Sequence, residues 1–91
     1  MNIATNSEIA VASVRSCIMY DQQGVIRVVH EEVTLEGAQQ RPDQELERMT
    51  SDLAQKHLVG VDGLETLLHD GRLEAGVSYR VNVTEKSLIQ G

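Results

Sequence analysis

Hydrophobic positions change their spacing along the chain, and each change marks an element. From Ile9 to Tyr20 the chain is rich in Val, Ile, Ser and Ala; Asp21-Gln22-Gln23-Gly24 follows, and a second β-branched run begins at Val25. Asp favours the first position of a type I turn, and Gly at the fourth takes the left-handed conformation of a G1 bulge. A strand, a tight turn and a strand are therefore predicted. Val11, Val14 and Ile18 also fall at helical spacing, with Ser7 available as a cap. The turn, the β-branched content and the matching partner run favour the strand. In the second strand, Val25 to Leu35, Ile26 and Val28 share one face, whereas Val33 and Leu35 share the other if the pleat is unbroken. A β-bulge near Val29 to Glu32 would restore the facing, because one extra residue flips everything after it. The alternative is that both faces are partly covered.

After the polar connection Glu36–Arg41, Pro42 suits the first position of a helix, where its missing N–H costs nothing. Asp43, Glu45 and Glu47 crowd the positive end of the helix dipole. Leu46, Met49 and Leu53, with His57 or Leu58, form its apolar stripe, which predicts a helix over Pro42–His57. Beyond Val59-Gly60-Val61, Asp62 with Glu65 three residues on resembles a capping box. Leu64, Leu67 and Leu68 then supply an apolar face, and Gly71 a left-handed end, so a second, short helix is predicted. Val77, Tyr79, Val81 and Val83 alternate with Ser78, Arg80, Asn82 and Thr84, the clearest period-two pattern in the chain. The expected fold class is α+β: a small three-stranded, mainly antiparallel sheet, element order β-β-α-α-β, with both helices on one face. The third strand lies beside the first, antiparallel, or beside the second, parallel through a right-handed crossover. Residues 1–7 are expected as an N-terminal tail, 8–85 as a single domain, and 86–91 as a C-terminal tail whose Leu88 and Ile89 are able to pack.

Composition narrows the picture. Ninety-one residues suffice for one domain, and the absence of Phe and Trp leaves a thin core of aliphatic side chains. Such a core offers little room for an enclosed ligand cavity and makes self-association, as a homodimer, an expectation. A net charge of −6 opposes direct contact with nucleic acid or an anionic membrane. A single cysteine, Cys17, excludes an internal disulfide, and no apolar run is long enough for a membrane span or a secretory signal. A cytoplasmic protein is the expectation.

Candidate chemistry is sparse. His30 stands beside Glu31 and Glu32, His57 closes the long helix, and His69 precedes Asp70. No pair has metal-ligand spacing on one helix face, so no metal or other cofactor is expected. Cys17 lies within a strand without an identifiable base, and no serine sits in a Gly-x-Ser-x-Gly elbow. Glu31 and Glu32, as strand neighbours, point to opposite faces and do not form an acid–base pair. Catalytic residues are therefore not assigned. What remains is a partner-binding surface drawn from the acidic flank Asp43, Glu45, Glu47 and Asp52 of the long helix and the polar face Arg80 and Asn82 of the last strand. Its negative charge is less dense than that of a DNA mimic.

The expected function is a small, non-enzymatic protein-interaction module whose partner is another protein. Acidic α+β chains of this size without a catalytic motif resemble in type the phage and mobile-element accessory proteins that inhibit bacterial defence, anti-CRISPR proteins among them. That likeness transfers no residue. The alternatives are an enzyme or ligand-binding protein whose site forms at a dimer interface from His30, Glu32, Tyr79 and Arg80, and a structural subunit of a larger assembly.

Overall fold

The Asp21–Gly24 turn organises the fold as its residues require. Gly24, with φ 85°, donates its N–H to the Asp21 carbonyl at 3.0 Å, and Asp21 donates to the Val25 carbonyl at 3.0 Å. Asp21 Oδ1 accepts the N–H groups of Gln23 and Val25 at 2.9 and 3.0 Å, so the side chain closes the turn it begins. A computed structural model describes residues 10–57 and 60–91, and the expected N-terminal tail lies outside them. The turn joins β1 (Val11–Tyr20) to β2 (Ile26–Leu35). After the helix α1 (Asp43–Lys56) come β3 (Glu65–Asp70), β4 (Tyr79–Asn82) and β5 (Ser87–Gln90). β1, β2 and β3 form an antiparallel sheet in the order β2-β1-β3, and β4 and β5 form a separate antiparallel hairpin.

The α+β class holds, with one helix among the described residues. The segment expected as the second helix is β3. Its Leu64, Leu67 and Leu68 do have helical spacing, but the segment from Glu65 pairs with the side of β1 that β2 leaves open. Leu68 pairs with Cys17 and Leu67 with Ile18. Adjacent strand residues face opposite ways, so the two leucines serve different layers. The strand expected over Val77–Val83 shortens to β4 and leaves the main sheet; the third strand of that sheet is β3. Ser87–Gln90, expected within a tail, is β5. Pro42 caps α1 from outside the helix, with φ −58° and ψ 150°, and its carbonyl accepts the N–H groups of Glu45 and Leu46.

No bulge occurs near Val29–Glu32. Pairing runs without interruption from Ser13↔Thr34 to Met19↔Val28, and the register shifts lie outside it, between Val11 and Ser13 and between Met19 and Tyr20. Both faces of the sheet are instead partly covered. On one side Arg15, Cys17 and Met19 of β1 meet α1: Arg15 reaches Asp43, and Thr66, opposite Met19, donates its hydroxyl to Glu47 at 2.7 Å. On the other side Ile18 and Tyr20 pack with Val81 of β4, joined by Ile26, Leu67, Leu73 and Leu88. α1 and the β4–β5 hairpin thus cover opposite faces. No described helix is long and apolar enough to cross a membrane.

Gly24 locks the hairpin onto the sheet. Val81 donates its N–H to the Gly24 carbonyl at 2.9 Å, and a Cβ on Gly24 would come within 2.1 Å of the Val81 carbonyl oxygen. Gly24→Ala combines a positive φ with a backbone clash, and is expected to cost about 2 kcal/mol or more in urea unfolding. An unchanged midpoint would show that β4 docks independently of this turn.

Candidate functional site

The most polar place in the interior is built on Arg15. β1 and β2 set Arg15 directly opposite Glu32, and both residues are 7% exposed. Arg15 donates to Glu32 Oε1 from Nε at 3.2 Å and from Nη2 at 2.6 Å, to Asp43 Oδ1 from Nη1 at 2.7 Å, and to the Arg41 carbonyl from Nη2 at 2.7 Å. Arg41 Nη1 completes the cluster by donating to Glu32 Oε2 at 3.2 Å. The hydrogen bond to Glu32 raises the Arg15 pKa further above its ordinary value, against the pull of burial. For Glu32, burial pushes the carboxyl up, but the hydrogen bonds from Arg15 and Arg41 outweigh it and hold the group below its ordinary value. Both charges are therefore fixed near neutral pH. The cluster joins strands, loop and helix and offers no proton for catalysis.

The residues expected to form a binding surface are not brought together. Asp43 is engaged by Arg15, Glu45 lies 3.9 Å from Arg41, and Glu47 accepts the Thr66 hydroxyl. Asp52 is exposed on α1. Arg80 and Asn82 are on β4, across the sheet from α1, and Asn82 Oδ1 accepts the N–H groups of Thr84 and Glu85 within its own turn. The set expected at a dimer interface is divided in the same way. His30 and Glu32 are on the α1 side of β2, whereas Tyr79 and Arg80 are on the hairpin, with Tyr79 Oη accepting the Glu74 N–H. Among the described residues no three His, Cys, Asp or Glu side chains come together as a metal site. Cys17 is fully buried; burial raises its thiol pKa against the effect of Thr50 beside it, so it is a poor nucleophile.

What the sequence pattern did mark, without its being read as a site, is the odd-numbered row of β2. Val33 shares the outward face with Val29, whereas Ile26 and Val28, expected on one face, are split by the register shift at Arg27: Ile26 joins Tyr20 on the hairpin side and Val28 lies opposite Met19 on the α1 side. Val29, Val33 and Leu35 are 43%, 42% and 41% exposed, and Val11, opposite Leu35, is 53% exposed. The row runs along an outer strand, since among the described residues β2 has a sheet neighbour on one side only. Glu31 interrupts it, held by Arg72 Nε at 3.3 Å. On the α1 side of the same strand lies an open cleft of about 380 Å³ lined by Arg27, Val28, His30, Leu53 and His57 among others.

The cluster predicts a pH dependence. Glu32 titrates below the ordinary glutamate value of 4.5, so the fold favours its charged form. That stabilisation is complete above the ordinary value and is lost as pH falls through it towards the lower folded value. Asp21, held low first by the Val25 N–H and also by Gln23 and Arg27, acts in the same direction. Arg15 stays charged throughout. The urea midpoint is expected to drop between about pH 6 and about pH 3, with a shallower slope in Glu32→Gln, which is less stable at the higher pH. Parallel slopes in the two proteins would contradict this assignment.

The chain matches no protein-family model, no curated protein and no solved structure.

Proposed function

We propose that this chain is a non-enzymatic protein-interaction module that takes up an extended segment of its partner along the free edge of β2. The observation that carries this reading is the outward row of Val29, Val33 and Leu35 on a ten-residue outer strand. Strand addition draws affinity from main-chain hydrogen bonds and specificity from alternate side chains, and β2 supplies both. Its buried charges support the same view, since Arg15 and Glu32 are committed to holding β2 against α1. A role in blocking a larger assembly, as accessory proteins that inhibit bacterial defence do, in the cytoplasm, belongs to this proposal.

The test is to identify a protein captured from the native host, reconstitute the complex, and map it by hydrogen exchange. Added protection is expected over Val29–Leu35. Val33→Lys, on the open face, is expected to weaken binding at least tenfold while leaving the folded secondary structure intact by circular dichroism. Protection confined to α1 or to β4–β5, with Val33→Lys binding normally, would overturn the reading.

A further inference from the structure

The free edge of β2 has a symmetry that names an occupant. Natural sheets blunt an outer strand with Pro, Lys, a bulge or a short length. β2 is ten residues long and contains no Pro, Gly or Lys, and its one extra residue, Arg27, lies at the end of the strand next to the turn. Its pairing with β1 is regular from Val28 to Thr34, and the midpoint of that regular segment is Glu31. Two copies laid antiparallel over the whole segment therefore meet with Glu31 on the two-fold axis. Val29 of one copy then faces Val33 of the other, twice. Sliding the register by two residues in either direction sets Glu31 against a valine, and a one-residue slide puts the row on the wrong face.

The central charges are also self-complementary. Two glutamates directly opposite each other would repel. Each Glu31, however, already carries Arg72, which spends only its Nε on it at 3.3 Å. Both partners are substantially exposed, with side-chain exposures of 60% for Arg72 and 39% for Glu31. Among the described residues the remaining guanidinium donors make no hydrogen bond, so in this register they point to the second Glu31 and two arginines and two carboxylates alternate across the axis.

We infer that the edge of β2 pairs with β2 of a second copy in this register, joining two three-stranded sheets into one continuous sheet. The inference rests on the strand-addition reading above and names the chain itself as the segment added. Light scattering is expected to give twice the chain mass at micromolar concentration. Single-cysteine chemistry reads the register, because Cys17 is fully buried and the introduced thiol is the reactive one. Under mild oxidation, Val29→Cys alone and Val33→Cys alone are expected to yield little covalent dimer, whereas an equal mixture of the two cross-links efficiently. A monomer throughout the micromolar range overturns the inference, as does a mixture that cross-links no better than either variant alone. A monomer whose partner complex is still lost on Val33→Lys overturns self-pairing only and leaves strand addition standing.

Discussion

An arginine buried to 7% exposure must have its charge met and its donors placed, and in this chain that requirement governs how the other elements lie. Arg15 satisfies it with a carboxylate from β2, a carboxylate from the first turn of α1 and a carbonyl from the loop between them. Moving the β1–β2 register by one residue would exchange Glu32 for a neighbour on the wrong face. Shifting α1 would remove Asp43. Buried ion pairs contribute little net stability, because desolvation offsets most of the attraction, yet breaking one is costly. The cluster is accordingly better regarded as fixing an arrangement than as supplying its free energy.

The free energy comes from a thin aliphatic core divided between two layers. β1 lies at the centre, with Cys17 and Met19 buried towards α1 and Ile18 and Tyr20 buried towards the hairpin. With no Phe or Trp, neither layer is large, and the outer face of β2 receives no cover from either. The exposed valine row follows directly: the hairpin reaches Ile18 and Tyr20 through Val81 and Leu88 and leaves Val29, Val33 and Leu35 open. The feature proposed as functional is thus what remains when the available apolar surface has been used.

Much of this was legible in the residues. The Asp21–Gly24 turn, both strands of its hairpin, the acidic helix after Pro42 and the α+β class follow from local patterns. β3 did not, because a strand covered on both faces carries apolar residues side by side, and Leu67-Leu68 after Leu64 then imitates a helix face. The Arg15–Glu32 pair was hidden by one residue. Counting outward from Tyr20↔Ile26 brings Arg15 to Glu31; the register shift between Met19 and Tyr20 moves it to Glu32. That same shift decides which glutamate is buried and which faces outward beside Arg72. That the acidic flank of α1 and the polar residues Arg80 and Asn82 lie apart was not legible either, because it depends on the hairpin docking on the far side of the sheet from α1.

The dependence of the fold on Arg15 is tested most directly by a double-mutant cycle with Arg15→Leu, Glu32→Leu and the pair together, followed by urea unfolding. Each single substitution removes a buried charge's main partner, leaving Glu32 with Arg41 alone or Arg15 with Asp43 and the Arg41 carbonyl, and is expected to cost about 3 kcal/mol, while the double variant costs less than the sum by about 2 kcal/mol or more. Additive losses would contradict the account, because they would mean that the two residues hold their places independently.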